Sequence, residues 1–119
     1  MTPLGRLALA MSVLVLAACA PPEPDAATDN VRYERIVSLA PNLTELVFAA
    51  GAGDKLVGVS AYSDYPPAAT LLPVVGDAFT IDRERLALLG PDALFVWKSG
   101  TPAHVVDELR SAGFTVEVL

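Results

Sequence analysis

The chain carries one cysteine, Cys19, one histidine, His104, and one tryptophan, Trp97, among 119 residues. A single thiol excludes an intramolecular disulfide, so stability must come from packing. One imidazole and one thiol also give no zinc-type cluster and no Cys-His or Ser-His-Asp arrangement, so neither a metal site nor a catalytic residue is expected. Positive charge is scarce: 8 Lys and Arg stand against 14 Asp and Glu, for a net charge of −6. That balance argues against a nucleic-acid partner, which would need a basic face. No apolar run reaches the roughly 20 residues of a permanent membrane helix. Gly51-Ala52-Gly53 offers half of a dinucleotide fingerprint, but it follows a helical stretch and lacks the third glycine.

What is present at the start of the chain points to export. Arg6 precedes an apolar run from Leu7 through Ala18, broken only by Ser12, and the run ends in small residues rather than a basic flank. This is the pattern of a signal peptide over residues 1–18. Leu16-Ala17-Ala18-Cys19 resembles the bacterial lipobox, which would make Cys19 the lipidated mature N-terminus; the alternative is ordinary small-x-small cleavage that discards the cysteine. Residues 19–34, with Pro21, Pro22, Glu23, Pro24 and the polar stretch Asp25 to Asn30, have too little apolar content for a core and read as a flexible tether. The expected location is the periplasm or the outer face of the cell membrane, held there by the lipid. Residues 35–119 form one small domain; two will not fit.

From Arg35 onward, short apolar runs alternate with helical patterns, which predicts an α/β lobe with a largely parallel sheet flanked by helices. Strands are expected at Ile36–Leu39, Leu56–Val59, Ala93–Trp97 and Thr115–Val118. The first helix is expected from about Leu43 to Ala50, capped by Asn42 with Glu45 reaching back. Its apolar stripe is Leu43, Leu46, Val47 and Ala50, and Gly51 is the left-handed exit. Asp82 should cap a second helix, with Ile81 and Leu86 as a hydrophobic staple. Thr101 and Pro102 should open a third.

Binding is better represented than catalysis. Tyr62, Tyr65, Phe79 and Trp97 all fall at strand ends or turns, where aromatic faces offer large contact area at little rotamer cost and suit a rigid macrocycle. Trp97, the last residue of its strand, should project where open α/β sheets bind ligands. Phe79 and Tyr65 read equally well as packing residues. His104 reads as an exposed first-turn residue, with an axial haem contact as the other possibility.

Three segments carry a family resemblance: Arg35 to Glu45 (RIVSLAPNLTE), Val57 to Pro67 (VGVSAYSDYPP) and Pro91 to Trp97 (PDALFVW). Together they resemble the N-terminal lobe of the periplasmic cobalamin-binding proteins of ABC importers, over roughly residues 35–119. The resemblance implies half of a two-lobed periplasmic-binding-protein fold, a corrinoid ligand, an ABC permease as partner and no resident cofactor. It makes Tyr62 and Trp97 corrinoid contacts, sets Pro41-Asn42 at the cleft floor and makes Glu84 a permease-docking residue. An acid in the first turn of a helix is, however, favoured by the helix dipole in any case. Where those proteins place a ligand-contacting tryptophan, this chain has Ala78 with Phe79 beside it. The first and third segments also suit haem and ferric-siderophore binders of the same fold, which stay open as alternatives, as does a truncated, non-functional fragment. In that family the ligand sits between two lobes joined by a long helix, of which residues 35–119 correspond to the first.

Overall fold

A computed structural model describes residues 31–77 and 79–119; the signal-peptide and Cys19 readings fall outside the described residues. The unit from Val31 to Leu119 contains four strands, β1 (Ile36–Ser38), β2 (Leu56–Val59), β3 (Ala93–Val96) and β4 (Val116–Val118). Its three α-helices are α1 (Pro41–Ala49), α2 (Arg83–Leu89) and α3 (Ala103–Ser111). Short 3-10 turns at Gly53–Lys55 and Pro67–Leu71 complete it. The sheet is wholly parallel in the order β2-β1-β3-β4. The α/β expectation therefore holds.

The order of the strands assigns the helices to faces. The chain moves from β1 to β2 in one direction and from β2 past β1 to β3, then β4, in the other. Right-handed crossovers then put α1 on one face and α2 with α3 on the opposite one. The packing agrees. Val37, Leu94 and Val96 share a buried cluster with Leu86 of α2 and with Val105, Val106 and Leu109 of α3. Their strand neighbours of opposite facing, Ile36 and Phe95, pack instead with Val47 of α1 and Leu56.

The helix starts differ from the sequence expectation. Helix α1 begins at Pro41 with Ala40 as its extended N-cap, and the box between Asn42 and Glu45 does not form. Proline sits well in the first helical position because that position has no use for an N–H, so the helix starts two residues earlier than a polar cap would suggest. The buried stripe of α1 is Leu43, Thr44 and Val47, while Leu46 and Ala50 are exposed. Leu46 borders an open groove of about 550 Å³ that it shares with Tyr33, Phe95 and Leu119, so helical periodicity alone overstates its burial. At α3 the N-cap is Pro102, and no side chain, Thr101 included, caps the helix.

Other local expectations hold. The Asp82 carboxylate accepts from the Arg85 N–H at 2.9 Å, and Ile81 packs against the cluster that contains Leu86. Gly51 leaves α1 with φ of 77°. The Asp92 carboxylate accepts from the backbone N–H groups of Glu34 (2.8 Å) and Arg35 (3.1 Å), tying the approach to β1 onto the approach to β3. The folded unit takes hold before Arg35. The Tyr33 ring stands edge-on to Phe95, with centroids 6.0 Å apart, and its hydroxyl donates to the Glu117 carboxylate. That hydrogen bond is the main reason the Tyr33 phenol is raised above its ordinary pKa.

Candidate ligand-binding cleft

Because β1 sends the chain to opposite sides through β2 and β3, the loops leaving their carboxyl ends diverge and open a crevice at this switch point. A cleft of about 360 Å³ lies there. Leu39, Ala40, Pro41 and Asn42 come from the end of β1 and the start of α1; Ser60, Ala61 and Tyr62 follow β2; Trp97, Gly100 and Thr101 follow β3. Asp77 and Phe79 close it from the loop before α2. All five residues singled out from the sequence as ligand contacts, Pro41, Asn42, Tyr62, Phe79 and Trp97, thus line one cleft.

The aromatic side chains are not consumed by the core. Tyr62 is 85% exposed, Phe79 74% and Trp97 38%. An apolar surface of this kind gathered in one concavity is the usual mark of a ligand site. Trp97 is the most firmly held of the three. Its carbonyl accepts from the N–H groups of Gly100 (3.0 Å) and Thr101 (2.9 Å), and a Cβ on Gly100 would lie 3.1 Å from the indole Cδ1. The turn after β3 therefore wraps tightly around the indole. Phe79 rides on a turn closed by the Asp77 N–H donating to the Thr80 carbonyl at 2.9 Å. The Asp77 carboxylate accepts in turn from the N–H groups of Thr80 (2.7 Å) and Phe79 (2.8 Å), which hold its pKa below the ordinary aspartate value.

Three polar residues of the cleft, Ser60, Asp77 and Thr101, are not among the ligand contacts expected from the sequence. Ser60 and Asp77 are polar loop residues of a kind common on any surface; the only signal was their position just beyond apolar runs. The sequence suggests a helix cap for Thr101. Instead it is 7% exposed, and its hydroxyl has no hydrogen-bond partner. Tyr65 is exposed and is not among the cleft-lining residues. His104 is also exposed, lining a separate groove with Arg83, Asp107 and Glu108. Glu84 is exposed in the first turn of α2 and forms no salt bridge among the described residues, whereas the neighbouring Arg83 pairs with Glu108 at 2.5 Å. No group of three or more His, Cys, Asp or Glu side chains that could hold a metal occurs among the described residues.

With this geometry in hand, the similarity to known proteins is specific. The chain is 51% identical over 83 residues to the vitamin B12-binding protein of Vibrio cholerae serotype O1, a match covering 70% of this chain and 30% of the relative. Among solved structures it resembles the periplasmic vitamin B12 binding protein of Vibrio cholerae, with a TM-score of 0.66 and 49% identity over 72% of this chain and 34% of the other. It also resembles a periplasmic heme binding protein from Pseudomonas aeruginosa, with a TM-score of 0.67 and 38% identity over 74% and 32%. The chain thus spans about a third of the length of these proteins. The family model described as periplasmic binding protein matches residues 36–117, from the first residue of β1 into β4. By that match, and by a parallel sheet whose switch point opens into an aromatic cleft, this chain belongs to the periplasmic binding protein family.

Proposed function

We propose that this chain is one lobe of the substrate-binding component of an ABC importer, and that it captures cobalamin outside the cytoplasmic membrane and delivers it to a permease. The observation that carries this reading is the convergence of exposed Tyr62, Phe79 and Trp97 on one cleft floored by Pro41 and Asn42. A flat, rigid macrocycle would cover those rings. At about 25 cal/mol per Å², roughly 100 Å² of each ring removed from water contributes about 2.5 kcal/mol. The higher identity to vitamin B12-binding relatives than to the haem-binding neighbour favours the corrinoid. The role is capture and release, without catalysis.

Haem is the second reading. A haem-binding structure matches with a comparable TM-score, and the Tyr62 phenol stands in the cleft, where a phenolate can ligate iron. The reading also includes a lipid anchor at Cys19, whose acyl chains would hold the protein at the membrane surface. Glu84 would meet an arginine on the permease, a strong charge-assisted pair.

Calorimetric and absorbance titrations of the protein with cyanocobalamin, haemin and a ferric siderophore test the assignment. Cobalamin should bind in preference, and Trp97→Ala should weaken it about 10- to 100-fold, equivalent to about 1.4–2.8 kcal/mol. Binding of haemin with a Soret shift that Tyr62→Phe abolishes, and no uptake of cobalamin, would replace the corrinoid reading with haem. For the anchor, Cys19→Ser should abolish labelling by radioactive palmitate; unchanged labelling would remove it.

A further inference from the structure

Tyr62 has φ of 68°, the only positive value at a non-glycine residue among the described residues. It occupies the third position of a turn closed by the Ser63 N–H donating to the Ser60 carbonyl at 3.3 Å, a place that favours glycine when φ is positive. A side chain persists in such a conformation only when its surroundings over-determine it. The tyrosine ring, largely exposed, does not supply that restraint.

The turn is anchored by backbone bonds, Ser60 N–H donating to the Ser38 carbonyl at 2.8 Å and Ala61 N–H to the Gly76 carbonyl at 2.7 Å, and by four buried hydroxyls in and beneath it. Ser38, Thr44, Ser60 and Ser63 are all buried. Ser38 Oγ donates to the Ala40 carbonyl at 3.0 Å, and the Thr44 Oγ1 proton is shared between Ser38 Oγ at 3.0 Å and the same carbonyl at 3.3 Å. With its one proton so used, Thr44 accepts from Ser63 Oγ at 3.1 Å, and Ser63 accepts from Ser60 Oγ at 3.3 Å. The bonds therefore run in one direction, from the turn that carries Tyr62, through α1, to the end of β1. Apolar residues of similar volume would fill this space without the desolvation that hydroxyls incur, but they would not specify one arrangement of the turn.

We infer that Thr44 and Ser63 are positioning residues: without touching the ligand, they hold Tyr62 in its left-handed conformation so that its ring is already set in the cleft when a ligand arrives. This rests on the reading of Tyr62 as a ligand contact. Pre-setting matters because a residue that is only fractionally in its competent conformation lowers apparent affinity by that fraction.

The test combines two readouts on the full chain. The first is ligand-independent: the strong intraresidue amide–Hα cross-peak in NMR spectra that a residue with positive φ gives. Thr44→Val, which keeps shape and loses the hydroxyl, and Ser63→Ala should both weaken the Tyr62 cross-peak, whereas Thr44→Ser should preserve it. The second is cyanocobalamin affinity. It should fall about tenfold in Thr44→Val and Ser63→Ala and less than about threefold in Thr44→Ser, with the losses absent when Tyr62 is also changed to Ala. An unaltered cross-peak in both hydroxyl-deleting variants overturns the inference, and so do equal affinity losses with and without Tyr62. If Thr44→Val does not fold, Ser63→Ala decides in its place. If the unaltered protein takes up no cobalamin, the proposed function fails, and the NMR readout alone decides the positioning role.

Discussion

Gly76 is the residue whose replacement the structure penalises most clearly. Its φ is 130°, in the half of backbone space that only glycine enters without strain. A Cβ built there would lie 2.1 Å from the Thr80 carbonyl oxygen and 2.9 Å from the Ile81 Cα. Both atoms are backbone, so no side-chain rotation relieves the contact. The Thr80 carbonyl is also committed, accepting from Asp77, and the Gly76 carbonyl itself accepts from Ala61 at 2.7 Å, next to Tyr62. Backbone strain of about 1–3 kcal/mol and overpacking of about 1–3 kcal/mol together put the loss for Gly76→Ala near 4 kcal/mol. Gly51→Ala is the control. Gly51 also has positive φ, at 77°, but nothing lies within 4 Å of its added Cβ, so only strain of about 1 kcal/mol should appear. In urea, with a slope of about 1–2 kcal/mol per M, Gly76→Ala should lower the midpoint by roughly 2–4 M and Gly51→Ala by less than about 1 M. Stabilities of the two variants within about 0.5 kcal/mol of each other would refute the argument, because Gly76→Ala should carry both the clash and the greater backbone strain of φ 130°.

Three further outcomes are expected. Leu94→Ala, at a fully buried residue of β3 in the larger core cluster, should cost about 2–5 kcal/mol in denaturant unfolding. Asp82→Ala removes the acceptor for the Arg85 N–H and should cost about 1 kcal/mol, with Asp82→Asn retaining most of it. Asp77 has a folded pKa below its ordinary value, so the stability it contributes is present above the unfolded aspartate pKa and is lost as pH falls through the folded value. Acid unfolding monitored below about pH 4 should therefore be shallower in Asp77→Asn than in the unaltered protein.

Much of this protein was legible along the chain because the signals are local. The alternation of apolar runs with helical spacing dictates a parallel α/β sheet, and the positions of Tyr62 and Trp97 just beyond strand ends place both at one cleft. Asp82 and Gly51 were readable because a cap and a left-handed exit depend on neighbours only a few residues away. Tertiary structure decided what depends on distant partners. Leu46 has the spacing of a core residue yet is exposed, since burial depends on whether another element covers that flank of α1, and here it borders an open groove. Tyr33 belongs by composition to the tether but is held by Phe95 and Glu117, residues far along the chain. Thr101 has the chemistry of a cap, yet Pro102 holds the cap position and the Thr101 hydroxyl is buried in the lining of the cleft. The hydroxyls of Ser38, Thr44, Ser60 and Ser63 are ordinary residues in the sequence; only packing β1, α1 and the turn after β2 against one another makes them a single hydrogen-bonded chain beneath Tyr62.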